Sequence, residues 1–264
     1  MTFRQVLRHI TILKKMNSLR QPDNALNQTE GFIRLNNLHC VHGSYPMAML
    51  NAWDRFNKER GSKNDRPDVY DQQQLFLILE FEFGGSDLEN RVLSSMVVAK
   101  SILHQVTAAL AVAENRLCFE HRNLHLGNVL VKTTLKKKLT FCHNGTKHSL
   151  DTKGVLVRII DNNLARLNLG GVKVFRNIML NEGMDQWERS DIFRCMLDAN
   201  KSPESNILWI HYLSDKLRTM KYLGAGGPAS KRVQEELASF HKEVLRYSSA
   251  SDLLDYSPMF KVRV

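Results

Sequence analysis

The chain has 264 residues, enough for one large domain or two small ones, and its 43% hydrophobic content supports a real core. The formal charge of +10 and the pI of about 9.5 permit attraction to nucleic acid, chromatin or an anionic membrane face. Cys40, Cys118, Cys142 and Cys195 are too sparse for a disulfide framework or a CxxC metal site, which leaves reduced thiols of an intracellular compartment. No apolar run approaches the roughly 18 residues of a bilayer span and no signal-type segment opens the chain, so a soluble, non-secreted protein is expected.

Taken in order, residues 3 to 19 place Phe3, Val6, Leu7, Ile10 and Leu13 at helical spacing and predict an amphipathic helix. A loop-rich region to about Tyr70 follows, with turn chemistry at Asn64-Asp-Arg-Pro-Asp68 and a short strand or two from FIRLNNLHCVHG. LFLILEFEF, Leu75 to Phe83, reads as a buried strand ended by the flexible joint Gly84-Gly85. Leu93 to Leu117 predicts one long apolar helix central to the core.

Beyond that helix, Asn128-Val-Leu-Val-Lys and Val155-Leu-Val-Arg-Ile-Ile-Asp predict two short strands. The hairpin LTFCHNGTKHSL lies between them, turning at Asn144-Gly145. The run Lys136-Lys137-Lys138 beside this hairpin reads as a solvated turn or as a nucleic-acid patch. Ile207 to Leu223 predicts a buried helix broken at Gly226-Gly227-Pro228. The closing helix aligns Val233, Leu237, Phe240, Val244 and Tyr247 on one stripe.

The chemistry lies in FEHRNLHLGNVLV, Phe119 to Val131. Phosphoryl transfer needs metal ions held against phosphates, a carboxylate that orients and deprotonates a hydroxyl, and a positive clamp. Kinases supply these from H-R-D-x-x-x-x-N and a later Asp at a strand end. Here His121-Arg122-Asn123 and Asn128 keep that spacing, with Asn123 at the general-base position and Asp161 ending a strand before Asn162-Asn163. Taken singly, an Asp at a strand end also serves as a turn-former or helix cap. The joint order of long helix, loop, strand, hairpin, strand and Asp raises the kinase reading above that alternative.

LILEFEFGGSDLE, AKSILHQVTAALAVAE, FEHRNLHLGNVLVKTT, RIIDNNLARL, DIFRCM and NILWIHYLSDKL together resemble the haspin family of atypical serine/threonine kinases, over about Thr2 to Phe260. Asp161 falls 33 positions after Asn128, and D-F-G and A-P-E sequences are missing, as in that family. The resemblance implies an α+β, protein-kinase-like two-lobe fold: residues 1–83 a remnant of the small lobe, residues 84–264 the helical large lobe. It implies ATP and Mg as cofactors, transfer to a threonine of a histone tail, and a place in the nucleus on chromosomes. Histone peptide or chromatin would be the partner, with no membrane and no sequence-specific nucleic acid.

By the same resemblance Phe81 looks like the gatekeeper, Glu82, Phe83 and Gly84 like the hinge that meets adenine, and Asp87 like the ribose contact. Asn128 and Asp161 map onto the metal ligands. His125 falls where the family lines the peptide groove, and Asp185 where an acidic surface meets the histone arginine. Without it, Phe81 and Phe83 read as core packing and His121 as a backbone brace.

Three departures stand out. No glycine precedes Gly31 and no lysine precedes Lys14, so the glycine-rich loop and phosphate-pairing lysine are missing; His9 takes the place of that lysine's glutamate partner. Asn123 can orient a hydroxyl but cannot take up a proton. His125, two residues on, is a conceivable substitute base. These departures predict impaired transfer. The alternative is a pseudokinase that only binds peptide or chromatin, and a third reading is a basic chromatin or nucleic-acid binder on the same scaffold.

Overall fold

The computed structural model describes residues 2–21, 26–175, 204–224 and 228–261. They form two compact units, Arg34–Glu82 and a larger one made of Met1–Ile33 with Phe83–Val264.

The larger unit is organised by helix α3, Met96–Leu117. Ser95 starts it by accepting the Val98 amide, and Cys118, in the left-handed region at φ 48°, ends it. Its sequence is apolar on nearly every face, so it lies inside: Ile102, Leu103, Val106, Leu110 and Val112 are fully buried. It is also long and apolar enough to cross a membrane, contrary to the sequence reading. Yet 78% of its most apolar window is buried inside the protein, because the other elements surround it.

One flank carries the sheet β3 (Ser86–Asp87), β4 (Val129–Thr133) and β7 (Val155–Ile159), in the order β3-β4-β7 with antiparallel pairing. The hairpin β5 (Lys138–His143) and β6 (Thr146–Asp151) turns at Asn144 and Gly145, both at positive φ as that dipeptide favours. A small ribbon, β8 (Leu167–Leu169) with β9 (Val172–Val174), follows. On its other sides α3 meets the helices Glu204–Thr219, Pro228–Glu243 and Ala250–Tyr256. The last of these was not anticipated.

Helix α1, Phe3–Ser18, begins with a capping box between Thr2 and Gln5. It buries Ile12, Leu13 and Met16, whereas Phe3 and Leu7 of the anticipated apolar face stay exposed. Because Ile12, Met16 and Leu19 join the core built on α3, the helix belongs to the larger unit. The grouping of residues 1–83 as one remnant is therefore redrawn: α1 sits with residues 83–264. The segment after it lies against the edge of β7, where Ile159 N donates to Gly31 O (2.8 Å) and Ile33 N to Ile159 O (3.0 Å).

In the smaller unit β1 (Leu35–His42) pairs antiparallel with β2 (Leu75–Phe81). The region expected to be loop contains helix α2, Met47–Arg60, whose only buried residue is Leu50. Arg66 grips both carboxylate oxygens of Asp54 at 2.8 and 2.9 Å and also meets Asp68. Strand β2 was expected to be buried. With a single paired neighbour it leaves Leu75 and Ile78 exposed.

Gly31 crosses α3 closely: a Cβ there would sit 2.3 Å from that of Ala109. Gly31→Ala should cost about 1–3 kcal/mol through forced separation of the two backbones, read as a lower unfolding midpoint. An unchanged midpoint would show that this crossing is not tight.

Candidate active site

The site is set by the pair β4 and β7. Val129 lies opposite Ile159, and Ile160 N donates to Asn128 O at 3.0 Å, so the residues before β4 and after β7 emerge at the same end of the sheet. Asp161 there adopts φ 60°, ψ 66°, a left-handed conformation that Asp tolerates better than most residues. Its Oδ1 accepts from the Asn163 amide (3.3 Å) and side chain (2.6 Å), which aims Oδ2 back toward the loop after α3.

That loop is held at every step. Phe119 is fully buried edge-to-face against Phe32, with ring centroids 5.4 Å apart. Glu120 exchanges backbone hydrogen bonds with Arg166 and pairs with its guanidinium at 2.8 Å. His121, without exposed surface, donates from Nε2 to Ile160 O (2.9 Å), while its Nδ1 accepts the Asn123 amide (3.3 Å). Burial pulls its pKa down to about 4, so the ring is neutral and holds this one tautomer. Arg122, half-buried, makes the sharp turn at φ 65°.

Asn123 is 8% exposed, and its Nδ2 lies 3.4 Å from Asp161 Oδ2, while Oδ1 is buried without a partner. Asn128 Nδ2 donates to Asn123 O at 2.8 Å. His125 takes the Gly127 amide on Nδ1 (3.1 Å) and sets Nε2 3.1 Å from the Asn128 side chain, so its ring buttresses Asn128. Asn123, Asn128, Asp161, His121 and His125 are thus brought together. A further group joins them from α1, which packs against the turn Asn162–Leu164. Burial lowers the pKa of His9 while the Asp161 charge opposes the shift, and His9 Nδ1 is buried without a partner.

The remaining candidates sit elsewhere. Phe81 and Glu82 end the smaller unit, where Glu82 N donates to Arg34 O (2.9 Å) and its carboxylate accepts the Arg34 amide (3.0 Å). Phe83, 81% exposed, opens the return into the larger unit, and its carbonyl accepts Lys132 Nζ at 3.3 Å. Gly84 follows, and Gly85, at φ 101°, passes so close to β4 that a Cβ would lie 2.3 Å from Val131 O. Asp87 pairs with Leu130 in the sheet and caps Asn90 through two 2.8 Å bonds. Asp185 lies outside the described residues.

Three supporting residues escaped the sequence reading. Asn163 fixes the Asp161 carboxylate. Asn206 accepts the His121 amide (3.0 Å) and donates to Phe119 O and to Glu114 Oε1, both at 2.8 Å. Glu114, buried in α3, accepts the Ser251 amide (3.1 Å) on its other oxygen. Glu114 and Asn206 each stand in a short polar run at the end of an apolar helical stretch, Glu114-Asn115-Arg116 and Glu204-Ser205-Asn206, which is a weak signal for a buried role.

The oxygen donors suit a hard divalent cation: the Asp161 carboxylate and the Asn128 amide oxygen, whose Nδ2 is already engaged. Those two would hold the ion, and kinases use such an ion with ATP to offset phosphate charge. Long buried helix, braced loop, paired strands and terminal Asp form the large-lobe arrangement of a protein kinase. The chain belongs to the haspin family of serine/threonine kinases, the description Haspin like kinase domain matching residues 3–254.

It is 46% identical over 273 residues to serine/threonine-protein kinase haspin of Bos taurus, covering 98% of this chain and 35% of that protein. The Mus musculus protein of that name is likewise 46% identical, with coverage of 98% and 36%. The Drosophila melanogaster haspin homolog is 33% identical, with coverage of 97% and 46%. The chain spans about a third of the length of the two mammalian relatives.

Two expectations follow. Asn123→Asp would set two carboxylates where an amide now meets Asp161, so stability in chelator should fall by about 1–3 kcal/mol and recover with millimolar Mg2+. A midpoint indifferent to Mg2+ would contradict this placement. Burial raises the pKa of Glu114 to about 7, so the native state holds its proton longer than the unfolded chain. Glu114 therefore contributes fully at low pH, and stability is lost as pH rises from the ordinary carboxylate range to about 7. Against Glu114→Gln, the wild-type midpoint should fall between about pH 5 and pH 8; parallel curves would rule this out.

Proposed function

We propose that this chain is the catalytic domain of an ATP- and Mg-dependent serine/threonine kinase acting on a threonine of a histone tail, with transfer slowed by Asn123. Support comes from family membership and from the constellation of Asp161, Asn128 and the braced loop. On this reading the ion on Asp161 and Asn128 offsets the charge that moves with the phosphoryl group. Asn123 orients the threonine hydroxyl through its amide, and His121 keeps the loop against β7. His125 and Asp185 are assigned to the histone peptide, while Phe81, Glu82, Phe83, Gly84 and Asp87 are assigned to the nucleotide. The corresponding place in the cell is the nucleus, on chromosomes.

The observation that carries the rate argument is the Asn123 side chain, buried and bonded to Asp161 through nitrogen. An amide accepts no proton, and a positioned general base contributes about 10² to 10⁴ in rate. That same observation favours a second reading, a catalytically silent binder of peptide or chromatin. Histone-tail peptide phosphorylation by the full-length protein, wild type against Asn123→Asp, separates the two. A gain of about 10² or more in kcat with little change in peptide KM supports a slowed kinase. Peptide binding without turnover in either protein supports the binder, and neither binding nor turnover overturns both.

A further inference from the structure

The lysine run at Lys136–Lys138 and the hairpin it opens take no part in the site described above. The hairpin runs along α3, its turn end meeting Asn115 and its open end the N-terminal half, where Ser101 Oγ donates to the Asp151 carbonyl at 2.7 Å. Beside this junction is a cavity of about 410 Å3, within the range of small-ligand and side-chain pockets. His104, at its inner wall, is 13 residues before the end of α3, about 20 Å from the loop that holds Asn123.

Two chemistries meet in this cavity. Its floor is apolar, with Leu150 buried and the buried ring of Phe260 stacked on His104 at 4.5 Å. Its rim is cationic: Lys100, Lys138, Lys153 and Lys261 converge on it, against the single carboxylate of Asp151. Lys153 is paired with Asp151 (3.0 Å) and Lys100 with Glu236 (2.6 Å). Lys138 and Lys261 are exposed and make no ion pair among the described residues. Burial, together with the charges of Lys100 and His148, holds His104 down to about 4, so the ring is neutral and stays part of the apolar floor.

We propose that this cavity is a docking site for an acidic peptide segment carrying one apolar anchor side chain. The anchor would fill the space over Leu150 and Phe260, and flanking carboxylates would meet Lys138 and Lys261. A nucleic-acid strand fits less well, because these amines ring a concavity with a dry floor instead of tracking along a groove. The neighbouring cavity of about 620 Å3 shares Lys100 and Lys261 but is walled by Glu235, Glu236 and Glu243. With Arg232 also in its wall, those carboxylates balance the cations there, so that cavity offers an acidic occupant no net attraction and the hairpin side is favoured.

The test is fluorescence anisotropy with a labelled peptide of six Asp and Glu residues around a central Leu-Phe. It is compared with the same peptide carrying Ala-Ala and with a twelve-nucleotide oligothymidine. Wild-type full chain should bind the Leu-Phe peptide saturably and the Ala-Ala peptide at least about tenfold more weakly. Lys138→Glu with Lys261→Glu should weaken binding about tenfold or more, and the loss should shrink in high salt. Ser149→Trp, at an exposed position of the cavity mouth, should abolish binding while the unfolding midpoint shows that the fold persists.

Absence of binding, or binding insensitive to both variants, overturns the proposal. So does equal affinity for the Ala-Ala peptide, which would show charge attraction alone. Tighter, lysine-dependent binding of the oligothymidine also overturns it, in favour of a nucleic-acid surface.

Discussion

A helix with no polar face has one place to go. The 22 residues of α3 bury Leu, Ile, Val and Ala all round, and each large aliphatic side chain gains about 1.5–3 kcal/mol by leaving water. The other described elements of the larger unit follow as cover: strands and hairpin on one flank, the later helices on the others, with Ile12 and Met16 of α1 and Leu19 at its end joining the core. The loop that matters chemically is the exit from this helix. Because Leu117 is fixed and Cys118 turns left-handed, Phe119 enters the core directly and the chain has little freedom before Asn123.

Polar groups then remove what freedom remains. A buried amide or carboxylate left unpaired costs a few kcal/mol, so the loop takes the shape in which its buried groups find partners. Glu114, Asn206 and the backbone at Phe119 and His121 form one such path, with Ser251 at its far end. His121 continues it to β7 through Ile160. The site is therefore tied to the start of the helix Ala250–Tyr256, although no residue of that helix belongs to the motif.

Periodicity carried most of this into the sequence. The long apolar run, the Asn-Gly hairpin and the two β-branched strands are each local signals with one physical solution, and they are where the spacing put them. Helix α2 was read as loop from the turn residues near it, although Met49, Trp53 and Phe56 keep helical spacing; it buries only Leu50 and leaves Met49 and Phe56 exposed. On α1 the stripe was legible but its centre was not: Ile12 and Met16 face inward, and Phe3 and Leu7 do not. Asn163 acts locally on Asp161, two residues before it, but Asn206 has a role only through residues brought to it by the fold. His9 is the same case, since its approach to Asp161 depends on a packing of α1 that no spacing rule supplies.

Asn123 shows how a loop of this shape closes with an amide where a carboxylate would also fit. A carboxylate at this position would face Asp161 across about the 3.4 Å now bridged by the amide, and two like charges that close require a cation or a shared proton. The amide meets the same carboxylate with an N–H, so the loop closes on itself with no ion needed. Nothing in the packing resists the exchange, because the side chains are nearly isosteric and Asn128 bonds to the backbone of residue 123, not to its side chain. The cost appears at the other end of the amide, where Oδ1 is buried without a partner. That oxygen, unlike a carboxylate's, carries no charge and takes up no proton, so what the amide adds here is the N–H that meets Asp161.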